Sequence, residues 1–144
     1  MRTRAAVLHE LHAPWSIEEI ELDPPKAGEV LVKLAASGMC HSDEHLVTGD
    51  LAGATAEMPI IGGHEGAGVV VEVGEGVTWL EPGDHVVFGF IPACGRCGPC
   101  SEGHSNLCDV GGTEFARGMQ ISDGTARHHT LDGKDLTLMC LLGT

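Results

Sequence analysis

Four cysteines, Cys94, Cys97, Cys100 and Cys108, fall in the single run C-G-R-C-G-P-C-S-E-G-H-S-N-L-C. Thiolates this close in sequence can converge on one ion, and a tetrahedral shell of four cysteines is a closed, structural zinc arrangement. Disulfides fit the run badly, because bridging Cys94 to Cys97, or Cys97 to Cys100, would close loops too small for the required Cα and Cβ separations. The stretch 91–110 is therefore expected to be a lobe organised by metal. Such a lobe says how a segment is held together and leaves open what the protein does.

The remaining chain must supply its own core. Its 144 residues suit one domain, and with no tyrosine and only 3% aromatic residues that core must be built from Val, Leu, Ile and Ala. A formal net charge of −13 repels phosphate backbones and anionic lipid, so neither nucleic acid nor a membrane surface is expected as a partner. The opening MRTRAAVLHELHAPW carries His9, Glu10 and His12 where the apolar core of a secretory signal would run. No stretch reaches the apolar length of a membrane span. Six cysteines without such a signal favour a reducing compartment and metal chemistry, so the expected location is cytoplasmic.

Strand patterns dominate the first ninety or so positions. Ser16 to Leu22 alternates, and Asp23-Pro24-Pro25-Lys26-Ala27-Gly28 turns the chain. Glu29 to Ala36 and Gly66 to Val73 read as aliphatic strands, with Gly74-Glu75-Gly76 as a turn. Glu81-Pro82-Gly83-Asp84 is a further turn before a strand over His85 to Gly89. Only Ser42 to Thr48 has the pattern of a short helix, and from Gly111 onward periodicity is weak until Leu136. Short strands with Gly/Pro turns predict a mainly β barrel or sandwich. The final Leu141-Leu142-Gly143-Thr144 leaves an apolar run uncapped, which reads as truncation.

A second constellation lies earlier. Gly38-Met39-Cys40-His41-Ser42-Asp43-Glu44-His45 gathers a soft ligand, a hydroxyl, carboxylates and two imidazoles, and Gly62-Gly63-His64-Glu65 follows. Cys and His from separate segments can build a zinc site with an open position. There the metal polarises a hydroxyl or carbonyl oxygen. A metal-bound imidazole usually donates its other N–H to a carboxylate, and Asp43 and Glu65 are candidates. The plainer alternative makes Cys40 a buried thiol and the histidines scattered surface residues.

Read together, the segments resemble the zinc-dependent medium-chain alcohol dehydrogenase family. Gly63-His64-Glu65-x2-Gly68-x5-Gly74-x2-Val77 fits that family's signature at every specified position. Cys40-His41-Ser42-Asp43 resembles its first ligand motif, Gly83-Asp84-His85-Val86 its Gly-Asp-x-Val turn, and the four-cysteine run its structural-zinc spacing. The resemblance covers essentially the whole chain. It implies a mainly β, GroES-like fold: a partly open antiparallel β-barrel with short helices and a structural-zinc lobe. Residues 1–144 would be an incomplete N-terminal catalytic domain, with an NAD(P)-binding Rossmann domain absent from the chain.

The resemblance also implies roles. Cys40 and His64 would be two of three protein ligands of a catalytic zinc, Glu65 would stand beside that metal, and Asp43 would orient the His64 imidazole. Ser42 would take the proton of the alcohol and His45 would pass it toward solvent, while His41 would lie near the cofactor pyrophosphate. The four cysteines would hold a structural zinc. Implied partners are a small alcohol or aldehyde and, at full length, a homo-oligomer. The close run from Cys40 to His45 favours primary alcohols over polyols, and both Ser42 and His45 being present favours alcohol chemistry over quinone reduction.

Some parts of the family pattern are missing. The third catalytic-zinc ligand is expected beyond the last residue; Cys140 lies too early and reads as a buried thiol in a last strand. Gly74-x-Gly76 follows a strand, but Trp79 and Pro82-Gly83 exclude a dinucleotide-binding loop. Alone, the chain is expected to bind structural zinc without turning over alcohol. Ile91 to Cys97 and Met139 to Thr144 resemble a bacterial subgroup that retains NAD and needs an external electron acceptor. The competing function, from another class, is a non-catalytic zinc-binding interaction module on a GroES-like fold; a proton relay at Ser42, Asp43 and His45 argues against it.

Overall fold

The computed structural model describes residues 1–51, 57–89, 91–115 and 117–139. It is mainly strand, in two sheets that form a partly open barrel. The first sheet has the order β7-β2-β1-β4-β8, from β1 (Arg2–Leu8), β2 (Ser16–Leu22), β4 (Ile60–Ile61), β7 (His128–His129) and β8 (Thr137–Leu138). The second is β3-β5-β6, from β3 (Val30–Gly38), β5 (Glu65–Val73) and β6 (His85–Val87). Among the described residues all pairings are antiparallel except β4 with β8, which run parallel. The expected mainly β, partly open antiparallel barrel is present, with this one parallel pair. Both strands are two residues long and come from distant parts of the chain, so no hairpin turn dictates their direction.

Alternation sets the first sheet. In β2 the inward positions Ile20 and Leu22 are buried while Ile17, Glu19 and Glu21 face water. Ile20 joins Val7, Ile61, Leu136 and Leu138 in one core cluster. On the other side, Leu8, Ile60 and Met139 pack with Leu46, flanked by Trp15 and Met58. Leu46 belongs to helix α1 (His41–Thr48), so this second cluster is what pins α1 to the sheet. Burying one leucine of this kind contributes about 1.5–3 kcal/mol.

The expected strands at Ser16–Leu22, Glu29–Ala36 and Gly66–Val73 are present within two residues at each end. The strand expected over His85 to Gly89 stops at Val87. The residue pattern picked out only Ser42 to Thr48, and the short helices that the resemblance implied also include α2 (Gly98–Ser101), a 3₁₀ turn (Ser105–Leu107) and α3 (Asp109–Phe115). The reason is local: these turns fold around the cysteine run, and Gly111 fits because a Cβ there would lie 2.2 Å from the Pro92 carbonyl oxygen. The expected buried thiol Cys140 falls outside the described residues.

An ion-pair network centred on the buried Arg127 flanks the start of β3. Arg127, 3% exposed, donates from Nε to Glu29 Oε2 at 3.0 Å and from Nη2 to Glu29 Oε1 at 2.6 Å. Its Nη2 also lies 2.9 Å from Asp123 Oδ2, which Lys26 reaches at 2.8 Å. The planar fork of arginine suits such two-oxygen pairing.

Candidate metal centres

The first centre is built on a helix cap. Cys40 is the N-cap of α1, and its Sγ accepts from the Ser42 N–H at 3.3 Å. Asp43, three residues on, returns the favour: its Oδ2 accepts from the Cys40 N–H at 2.8 Å, completing a capping box. The candidate ligand motif is thus also the helix-start signal. Gly63 sits opposite, at φ +86°, a left-handed conformation that aims its N–H at Asp43 Oδ1, 2.7 Å away. The next residue, His64, enters the site just before β5.

Asp43 is 1% exposed and His64 6%. His64 Nδ1 lies 3.2 Å from Asp43 Oδ2, the spacing of an imidazole–carboxylate ion pair. His64 Nε2 lies 3.1 Å from Cys40 Sγ. A tetrahedral zinc would hold sulfur and nitrogen about 3.6 Å apart, and the observed spacing corresponds to a bond angle of about 90°. The pair thus fits a shared ion with a modest opening. Cys40, His64 and Glu65 bring one donor atom each within 4.8 Å of one another.

A cavity of about 740 Å³ opens over these groups, walled by Cys40, Ser42, His64, Glu65, Val87 and Phe88. The expected site residues Cys40, Ser42, His64 and Glu65 therefore meet at one cavity, and Asp43 lies behind His64. His41 and His45 do not line it. They lie on the outer face of α1, where His45 Nδ1 is 3.0 Å from Asp50 Oδ2. Sequence reading missed Asp50, whose only signal is its place just past the helix C-cap Gly49. It also missed Phe88 and Val87, which reach the cavity from β6 and the residue after it.

The second centre is the cysteine lobe. Cys97 is the N-cap of α2, with Pro99 in the first turn, and Cys108 follows the 3₁₀ turn. All four Sγ atoms lie within 4.8 Å of one another, and those of Cys97 and Cys108 are 3.9 Å apart. Four sulfurs at about 2.3 Å from one zinc lie about 3.8 Å apart, so the donor set fits that ion. Cys108 Sγ accepts from the N–H groups of Cys94 at 3.2 Å and Gly111 at 3.3 Å. Those two donors pull its thiol down to about 6. Backbone N–H groups at Cys100 and Asp109 hold Cys97 below the usual thiol range too. Cys100 goes the other way, pushed up to about 12 by burial and by the adjacent Cys97. Such a cluster is matched to a dication, whose charge favours the thiolate form at every ligand.

Two clusters with metal-ligand chemistry, one closed and one opening onto a cavity, on a GroES-like barrel define a class. Residues 26–138 match the family model described as the alcohol dehydrogenase GroES-like domain, and the chain belongs to that family of zinc-dependent alcohol dehydrogenases. It is similar along all of its length to the NDMA-dependent alcohol dehydrogenase of Amycolatopsis methanolica, at 55% identity, and to alcohol dehydrogenase B of Mycobacterium tuberculosis, at 49%. The chain spans only 37% of either relative's length. Among solved structures, the alcohol dehydrogenase zinc-binding domain protein of Burkholderia ambifaria superposes with a TM-score of 0.87 at 35% identity, over 98% of this chain and 37% of that one. Benzyl alcohol dehydrogenase of Acinetobacter calcoaceticus gives 0.82 at 28% identity, over 98% and 36%.

Proposed function

We propose that residues 1–144 are the N-terminal catalytic part of a zinc-dependent, NAD(P)-linked alcohol dehydrogenase, converting alcohols reversibly to aldehydes or ketones. The reading rests chiefly on one observation: Cys40 Sγ and His64 Nε2, 3.1 Å apart, share a cavity with the Ser42 side chain. The length covered in the relatives supports a nucleotide-binding domain and a third metal ligand outside these residues. Cys94, Cys97, Cys100 and Cys108 hold a structural zinc, and Cys40 with His64 hold the catalytic one.

When bound, a catalytic zinc supplies Lewis acidity to the substrate oxygen, and a nicotinamide accepts the hydride. The chain's own residues do the rest. Asp43 fixes the His64 ring so that Nε2 is the ligand atom, and Ser42 accepts the substrate's hydroxyl proton at the cavity wall. His45, on the solvent side of α1, passes that proton outward, with Asp50 holding its Nδ1–H. Glu65 would stand beside the metal, and His41 would meet the cofactor pyrophosphate. The full-length protein is a cytoplasmic homo-oligomer in this reading. Among the described residues no helix is long and apolar enough to cross a membrane. The name of the Amycolatopsis relative favours a further feature: turnover that needs an added acceptor such as NDMA.

The test is alcohol oxidation by the whole polypeptide, with and without NDMA. Ser42→Ala should lower kcat by about 10²- to 10⁴-fold with zinc content unchanged. The isolated 144-residue chain should show no turnover. Full activity in Ser42→Ala, or NAD-linked turnover by the isolated chain, would refute the reading; zinc binding without any activity of the whole polypeptide would favour an interaction module.

A further inference from the structure

His41 and His45 stand one turn apart on α1, and neither lines the cavity. Their rings meet edge to face, with centroids 4.6 Å apart and planes at 89°. Two imidazoles bound through nitrogen at about 2.1 Å to one ion have centroids about 4.5 Å apart at a right angle, and about 5.2 Å at the tetrahedral angle. The observed separation is that of an edge-to-face ring contact, and it also allows both rings to reach one ion at neighbouring square-planar or octahedral positions. Nickel(II) and copper(II) take such geometries, whereas zinc favours the tetrahedral one.

A second observation is independent of ring spacing. His45 Nδ1 is 3.0 Å from Asp50 Oδ2, and that same oxygen accepts from Thr48 Oγ1 at 2.6 Å. Because the carboxylate only accepts, His45 keeps its proton on Nδ1 and offers Nε2 as a ligand. This carboxylate–imidazole arrangement is the one that metal-bound histidines use. The first-turn position of His41 counts against a cation, since the helix dipole is positive there. Glu44 and Asp50, both exposed nearby, and a chain net charge of −13 offset it.

We propose that His41 and His45 form a surface chelate for a first-row dication of square-planar or octahedral preference, nickel(II) being the representative, distinct from the Cys40/His64 and four-cysteine clusters. Occupancy would engage the His45 Nε2 that a proton relay requires, so the ion would inhibit alcohol turnover. That consequence rests on the proposed relay; the binding site does not.

The experiment is calorimetric titration of the zinc-loaded chain with nickel chloride, with released zinc followed in parallel. One nickel should bind with no zinc released. His41→Gln and His45→Gln should each weaken that binding on the order of 100-fold, since either change abolishes the chelate. Asp50→Asn should weaken it about 10-fold by loosening the His45 ring. His85→Gln, an exposed histidine elsewhere, should leave it unchanged. Equal nickel uptake by the wild type and both helix variants, absence of uptake, or uptake matched by zinc release would each overturn the proposal. None of these readouts depends on alcohol turnover, so failure of the site and failure of the dehydrogenase reading remain separate results.

Discussion

Asp43 is where fold and candidate chemistry depend on the same atoms, and replacing it should be costly. Its carboxylate accepts from the Cys40 N–H at 2.8 Å and the Gly63 N–H at 2.7 Å, and lies 3.2 Å from His64 Nδ1. With 1% of the residue exposed, water cannot replace it at those donors. Each buried donor left without a partner costs about 1–3 kcal/mol, and the lost helix cap is part of the same sum. Asp43→Ala should therefore destabilise by about 3–5 kcal/mol, allowing for partial relaxation. Asp43→Asn should cost less, about 2–3 kcal/mol, because its amide oxygen still serves one donor while its NH₂ opposes another. In urea unfolding of the zinc-loaded chain, a slope near 2 kcal/mol per molar turns the alanine cost into a midpoint lower by about 1.5–2.5 M. The neighbouring exposed Glu44→Ala is the control, expected within about 0.5 kcal/mol of wild type. A midpoint for Asp43→Ala within 0.5 M of wild type, on the order of measurement scatter, would refute the hydrogen-bond reasoning.

Three further outcomes follow from other parts of the molecule. Leu46→Ala should destabilise by about 2–5 kcal/mol in the same assay, because Leu46 is 1% exposed and joins α1 to the sheet. Gly74→Ala should abolish soluble folded protein, judged by circular dichroism, since a Cβ there would lie 1.8 Å from the Lys26 carbonyl oxygen. Acid should weaken the Arg127 network: burial raises the Glu29 carboxyl, but Arg127 and Ser122 outweigh it and hold it below the usual carboxylate range. A depressed folded pKa gives stability that is full above the unfolded value, about 4.3, and is lost as pH falls through the folded one. Urea midpoints should thus drop below pH about 4.5, and Glu29→Gln should flatten that drop.

The gathering of the candidate ligands was legible because its information is local. Cys94 to Cys108 is one run, and the structure gathers all four Sγ atoms. Cys40 and Asp43 are three residues apart and close a capping box as well as a ligand motif. Only the His64 partner lies farther off, and Gly63 with its positive φ marks the bend that brings it in. The long strands β2, β3 and β5 were legible from alternation and aliphatic content. Strands of two residues, β4, β7 and β8, carry no period at all, and distant partners define them. Helix α3 reads DVGGTEF, whose paired glycines argue for a loop until the cysteine lobe is folded around it. The Arg127–Glu29 pair spans 98 positions, beyond any local pattern. His45 was expected in a relay, yet its pairing with Asp50 depends on how the chain turns after Gly49.

Zinc per chain, by elemental analysis after exhaustive dialysis of the 144-residue protein, tests the central claim most directly. The account expects one zinc, lost in Cys108→Ser and retained in Cys40→Ser, because four thiolates complete a tetrahedral shell while Cys40, His64 and Glu65 offer three donors. Two zincs per chain, or a single zinc that survives Cys108→Ser and disappears in Cys40→Ser, would contradict it.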